Sequence, residues 1–361
     1  MTLDPQSLRQ AWPRPSHPRP IVIIGAGGIV NDAHLPAYRK AGFPVAGLFD
    51  LDRGRSEATA ETFGIERVFG SLAQALGTPG AVFDLAVPPE HTFGVLEQVP
   101  DGATVLMQKP LGATLADAMR IRERCREKSL VAAVNFQLRF SPALLAIRDA
   151  VDRGLLGALL DIELRLNVQT PWELFPFLKK LDRVEILVHS VHYLDLIRSL
   201  LGEPTGVYAR TIRHPRFPDL ASTRTSAILD YGDRVRCSLS INHAHPWGPR
   251  HEAAMFKVEG EKGAAVTVLG LLMNYPEGKP DELEIITEGQ PWTPVELGGC
   301  WFPDAFIGTM SNVQRFAAGE DEKLVSSVED AYKTMALVEA CYTSSAQGAT
   351  PVPGGPSRAG E

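Results

Sequence analysis

Residues 21–30, IVIIGAGGIV, constrain the fold more than any other stretch of this chain. A short run of consecutive apolar, mostly β-branched residues predicts a strand buried on both faces. The pattern Gly25-x-Gly27-x-x-Val30 follows directly. Gly25 permits a tight turn out of the strand. Gly27 lets backbone approach a pyrophosphate with no Cβ in the way. The next helix, opening at Gly28 and Ile29, aims its first N–H groups at the phosphate charge. Val30 replaces the usual third small residue, so helix–strand packing is looser there.

The chain then keeps a strand–helix rhythm to about Asn135. Apolar runs at Val45–Phe49, 82–87, Thr104–Met107 and 130–134 predict further buried strands. Residues 33–41, 55–63, 92–99 and 115–128 are long enough for the helices between them. Such alternation predicts a doubly wound parallel sheet, an α/β dinucleotide-binding Rossmann domain over residues 20–135. After Pro142 the rhythm changes. Residues 157–169, 206–213, 223–231 and 234–243 read as strands of period two. Val235, Cys237, Leu239 and Ile241 point one way; Arg236, Ser238, Ser240 and Asn242 point the other. This predicts a second α/β domain, residues 136–347, with a large, mainly antiparallel open sheet. Helices are expected over 185–201 and 328–345. Residues 1–19, with Pro13, Pro15 and Pro18, predict an extended, poorly ordered arm, and Gly- and Pro-rich residues 348–361 a frayed tail.

Composition narrows the function. The formal net charge of -7 argues against a nucleic-acid partner, which needs a concentrated basic surface. No apolar run reaches membrane-spanning length. Residues 1–20 lack the apolar centre of a secretory signal. The four cysteines, Cys125, Cys237, Cys300 and Cys341, form no CxxC pair, which fits a cytoplasmic setting.

The second strand ends at Phe49-Asp50, about 20 residues beyond the glycine turn, where an acid binds the ribose hydroxyls of NAD. Its charge opposes the extra phosphate of NADP. Arg53 and Arg55 follow closely, so NAD is favoured and NADP is left open.

Four blocks give the chain a wider resemblance: GAGGIVNDAHLPAYRKAG from Gly25, AVPPEHT from Ala86, MQKPLG from Met107 and HSVHYLDLIRSLLGEP from His189. With these the sequence resembles the Gfo/Idh/MocA family, the glucose–fructose oxidoreductase and inositol dehydrogenase group, from about Arg19 to Val352. The resemblance implies a nicotinamide cofactor and chemistry at a secondary carbinol of a sugar or cyclitol. It also implies homodimers or homotetramers built through the C-terminal sheet. It places Pro88 and His91 beside the cofactor and suggests a cis peptide before Pro110. Gln108 stands where the family's Glu-Lys-Pro block has Glu. Val188 stands where many members carry an aspartate one helical turn before the histidine.

Moving a hydride off a carbinol requires a base for the hydroxyl proton and a positive group for the developing alkoxide. Lys109 and His192 can supply these, with Lys109 touching both cofactor and substrate. Lys109 follows a predicted strand, at the edge where doubly wound sheets hold ligands. His192 matches the family's catalytic histidine. With Val188 in the aspartate position, His189, oriented by Glu185 one turn back, is a candidate substitute. A helical metal site at Glu185, His189 and His192 lacks a further strong ligand, so no metal is assigned. Asn135 and Arg139 follow the fifth strand near the expected cleft; Arg139 is either a substrate contact or an ion-pair partner. Trp172 is either a sugar platform or a packed tryptophan. His243 and His245 receive no role.

The leading reading is an NAD-dependent sugar or cyclitol dehydrogenase. An alternative is an NAD-dependent glycoside hydrolase that oxidises transiently, eliminates, hydrates and re-reduces. A third is a non-catalytic NAD-binding regulator, against which Lys109 and His192 together argue.

Overall fold

The computed structural model describes residues 4–275 and 277–353. β1 (Ile21–Ile24), β2 (Val45–Phe49), β3 (Val82–Leu85), β4 (Thr104–Met107) and β5 (Val131–Val134) form one parallel sheet. β1, β3 and β4 are buried along their whole length, as strands covered on both faces must be. The spatial order is β2-β1-β3-β4-β5. The order reverses between β1 and β3, which opens a crevice at the carboxyl ends of the strands. The glycine turn, Asp50, Lys109 and Asn135 all leave strands at that edge.

The second sheet contains β6 (Leu159–Asn167), β7 (Gly206–Ile212), β8 (Arg224–Asp230), β9 (Arg236–Asn242), β10 (Ala253–Gly260), β11 (Gly263–Val268), β12 (Glu282–Thr287) and β13 (Thr293–Pro294). Its order is β13-β12-β11-β10-β6-β9-β8-β7, antiparallel except for β6 against β9. Cys237, Leu239 and Ile241 face the core as the alternation predicts. They pack with helices Pro142–Asp152, Val191–Leu201 and Val328–Gln347 into the main apolar cluster. On the other face Tyr208 and Ile228, paired in register across β7 and β8, lie exposed.

Several elements differ from the sequence expectation. β10 to β12 were not foreseen, because Ala253 and Met255 sit on the polar side of β10 and blur its alternation. Helix Asp304–Ala317 was also missed; its Gly308 looks like a breaker. There a Cβ would come within 2.6 Å of the Phe140 side chain, so glycine is required by close packing. Residues 185–201 form not one α-helix but a π-wound segment, Glu185–Ser190, followed by the α-helix Val191–Leu201. The glycine turn likewise leads through a π-wound Val30–His34 into helix Leu35–Ala41.

The N-terminal arm is extended but well packed, which corrects the expectation of poor order. Leu8 is buried. The Trp12 indole N–H donates to Asp321 at 2.7 Å and its ring meets Phe140 edge-on. Arg14 donates to the Ala41 carbonyl and the Arg19 N–H to Gln314. Prolines make the arm extended; the tryptophan and arginines fix where it lies. Of the expected frayed tail, residues 354–361 fall outside the described residues.

Candidate active site

The site is built on four strand ends. After β1, Gly25 adopts φ +106, and a Cβ there would stand 2.4 Å from the Ala86 carbonyl oxygen. Only glycine lets the chain pass between β1 and β3 at this point. A Cβ on Gly27 would meet nothing within 4 Å, so the space above it is open. The first turn of a helix leaves N–H groups without intrahelical partners, and here that turn begins at Gly28 and Ile29 beside the open space. This is a cradle of the shape and polarity a pyrophosphate needs.

Asp50 closes the cradle from β2. Its Oδ2 accepts the Ala26 N–H at 2.7 Å and its Oδ1 the Asp52 N–H at 2.8 Å. Each carboxylate oxygen keeps a further lone pair for a ribose hydroxyl. Arg55 stands 3.9 Å away. After β3, Pro88 precedes helix Pro89–Gln98; His91, exposed in its first turn, donates its backbone N–H to the Pro88 carbonyl.

Lys109 leaves β4 through a cis peptide to Pro110. Its backbone N–H donates to Gln108 Oε1 at 2.8 Å. Gln108 Nε2 in turn contacts His34 Nε2 at 3.0 Å, and His34 Nδ1 contacts Asp84 Oδ2 at 2.7 Å. An amide nitrogen only donates. His34 therefore presents a bare Nε2 to Gln108 and its Nδ1–H to Asp84, which also accepts the Tyr38 hydroxyl. Sequence reasoning missed this network, in which His34, Tyr38 and Asp84 are buried and Gln108 is half-buried. The local signal was Gln108 itself, whose neutral amide suits a neutral imidazole.

The Lys109 ammonium donates to the Val188 carbonyl at 2.9 Å, so the chain at Val188 contributes its backbone where its side chain contributes no charge. Burial pulls the Lys109 pKa down to about 8. Burial, and then the Lys109 charge, hold His192 well below the usual imidazole range. His189 is depressed similarly, by burial first and then by His243, Lys109 and His192. Both rings are thus neutral near pH 7. Lys109, His189 and His192 are brought together.

The expectation that Glu185 orients His189 is corrected. In the π-wound turn Glu185 meets residue i+5: the Ser190 hydroxyl donates to its Oε1 at 2.6 Å. What supports His189 is His243, from the end of β9, stacked on it at 4.3 Å between ring centres. Trp172 is buried, its ring 5.8 Å from that of His189. Its Nε1, His189 Nδ1 and His192 Nδ1 are buried with no hydrogen-bond partner among the described residues. Unpaired buried polar atoms are costly and point to a polar ligand.

Two other candidates stand apart. Asn135 is buried and turns its amide toward His34 Nε2 at 3.4 Å, within the network under Lys109. Arg139 is an ion-pair partner, the second of the two readings its sequence position left open. It is buried, with Nε and Nη2 on Asp195 at 2.5 Å each and Nη2 on Asp330 at 2.6 Å. A guanidinium fork matches two carboxylates better than a solvent-filled cleft does.

The architecture is that of a dinucleotide-binding oxidoreductase, and comparison with known proteins agrees. Residues 19–136 match the oxidoreductase family model with an NAD-binding Rossmann fold, and residues 185–353 match that family's C-terminal alpha/beta domain. The chain belongs to the Gfo/Idh/MocA oxidoreductase family. It is 28% identical over 348 residues to D-apiose dehydrogenase of Paraburkholderia graminis, covering 91% of this chain and 88% of that protein. It is 28% identical over 346 residues to inositol 2-dehydrogenase 2 of Saccharopolyspora erythraea, covering 91% and 94%. An oxidoreductase from Agrobacterium radiobacter, solved with NAD+, L-tartaric acid and magnesium, shares the fold. Its TM-score is 0.75 at 22% identity, covering 92% of this chain and 98% of that one. The chain is accordingly an oxidoreductase with NAD as its cofactor, and the glycine cradle and Asp50 fit that group. Among the described residues no helix is long and apolar enough to cross a membrane.

Proposed function

We propose that this protein moves a hydride between NAD and a secondary hydroxyl of a sugar, cyclitol or related polyol. The observation that carries this reading is the cluster of one ammonium, Lys109, and two neutral imidazoles, the buried His192 and the half-buried His189, at the carboxyl edge of the parallel sheet. In the oxidative direction His192 takes the hydroxyl proton. The Lys109 ammonium stabilises the oxygen as negative charge builds on it. His189 donates or accepts a hydrogen bond at a neighbouring hydroxyl. A nicotinamide held on the Gly25–Gly27 turn and Asp50 would supply the hydride acceptor. Trp172, with its unpaired Nε1–H, offers a face and a donor to a polyol ring. The names of the similar dehydrogenases support the substrate class.

The exposed Tyr208–Ile228 pair supports a homodimer or homotetramer joined through the outer face of the second sheet. A cytoplasmic location fits the free cysteines.

Titration with NADH tests the cofactor half of this reading: fluorescence changes with saturation as the protein is added, and unchanged fluorescence at high protein concentration contradicts it. Asp50→Ala tests the ribose contact. It weakens binding of both cofactors, since Asp50 also ties the Ala26 turn, but weakens NAD more than NADP. Equal losses measured by calorimetry would assign Asp50 to the turn alone.

A further inference from the structure

Gln108 stands where the resembled block has Glu, and the chemistry proposed above gives it no part. Its hydrogen bonds fix the order of a chain of groups beneath the site. The Lys109 backbone N–H, 2.8 Å from Gln108 Oε1, only donates, so the side-chain atom facing it is the oxygen and the amide cannot be turned over. The amide nitrogen therefore faces His34 Nε2, at 3.0 Å, and donates to it. A second amide nitrogen, Asn135 Nδ2, approaches the same ring atom at 3.4 Å. Two donors aimed at one ring nitrogen leave it no proton of its own. The ring proton is then on Nδ1, 2.7 Å from Asp84 Oδ2, which also accepts the Tyr38 hydroxyl at 2.6 Å.

The elements that supply these groups are the ones that build the site. His34 ends the π-wound turn that follows the glycine cradle, Asp84 lies in β3, Gln108 follows β4 and Asn135 follows β5. Two of them are tied by backbone as well: the Gln108 N–H donates to the Leu85 carbonyl at 2.9 Å and the Asn135 N–H to the Met107 carbonyl at 2.7 Å. His34 is fully buried, its ring 5.0 Å from that of Phe306, so it has no room to swing away. The chain of contacts thus runs from the helix that opens at the cofactor cradle to the backbone of Lys109. A carboxylate at position 108 would set an acceptor against the bare Nε2; the amide makes the contact with no added proton.

We propose that His34 and Gln108 are positioning residues: the His34 ring, oriented by Asp84, holds the Gln108 amide, and that amide holds the Lys109 backbone at a fixed place relative to the cofactor-binding helix. Lys109 is then fixed at both ends, its N–H by Gln108 and its ammonium by the Val188 carbonyl at 2.9 Å. The ammonium meets a developing alkoxide only if it stands correctly against the cofactor, so the contribution appears in turnover and not in cofactor affinity. The link to turnover rests on the proposed dehydrogenase reading; the order of the hydrogen bonds does not.

The test has a part that needs no substrate. A proton–nitrogen correlation spectrum of the wild-type imidazoles should show His34 with its proton on Nδ1 and a bare Nε2; a proton on Nε2 overturns the proposal. Gln108→Met keeps the length of the side chain and removes both acceptor and amide donor. In it the Lys109 amide hydrogen should exchange faster by about tenfold or more. With an active polyol its kcat should fall by about 10–10²-fold while the Kd for NAD, measured by calorimetry, stays within about twofold. Gln108→Glu keeps an oxygen for the Lys109 N–H and should recover most of kcat, even with a lower Tm than the methionine variant. Unchanged Lys109 exchange in Gln108→Met, or equal losses of kcat in the two variants, overturns the proposal by reducing Gln108 to packing. If no polyol is turned over, the dehydrogenase reading fails, while the spectrum and the exchange rate still decide whether His34 and Gln108 hold Lys109.

Discussion

Lys109→Ala loses turnover by about 10²–10⁴-fold while NAD still raises the Tm of the protein. The cofactor cradle is formed by Gly25, Gly27 and Asp50, none of which contacts the Lys109 ammonium, so binding survives. What disappears is the positive charge beside His189 and His192. Both imidazoles are depressed in part by that charge, so both become easier to protonate in the variant. The wild-type rate should also fall as pH rises through about 8, where the ammonium is lost. In Lys109→Arg that limb should move beyond the measurable range, because a guanidinium stays charged. Initial rates of NADH formation and thermal unfolding with and without NAD check these outcomes. A near-normal rate for the alanine variant removes Lys109 from the chemistry.

Arg139→Leu costs about 3–5 kcal/mol of stability, the loss expected when one partner of a buried ion pair is removed. Arg139 joins three elements: its own 3-10 turn Gln137–Phe140, helix Val191–Leu201 through Asp195, and helix Val328–Gln347 through Asp330. Without it, the buried Asp195 keeps, among the described residues, the Thr334 hydroxyl alone as a side-chain hydrogen-bond donor. Burial already raises the Asp195 pKa despite the opposing pull of Arg139. In the variant that pKa rises further. A folded-state carboxyl pKa above the unfolded one means stability is lost as pH rises, so the defect should be larger at pH 8 than at pH 5. Urea unfolding at the two pH values measures this. A loss below about 1 kcal/mol combined with a large rise in substrate KM would restore the substrate-contact reading.

The positions of Lys109 and Arg139 show where sequence was informative. Lys109 was legible because an apolar strand, a proline and the carboxyl edge of a parallel sheet converge on one residue. The buried first sheet was legible for the same reason: runs such as Ile21–Ile24 have no other stable use. Arg139 stayed ambiguous because its partners, Asp195 and Asp330, lie far along the chain and no local pattern links them. Glu185 was misplaced because spacing cannot tell an i→i+5 turn from an i→i+4 turn, and that difference swings its side chain from His189 to Ser190 and Thr225. His243 went without a role for a related reason. Only the return of β9 beside β6 and β8 brings it over His189.

The central claim is carbinol oxidation with net transfer of hydride to NAD. Its most direct measurement is a panel of sugars, cyclitols and glycosides incubated with NAD and scored together for NADH and for released aglycone. NADH should accumulate with a free polyol, one equivalent for each carbonyl formed, and Lys109→Ala should abolish it. Aglycone release without net NADH would instead mark a redox-neutral hydrolase, and contradict the account.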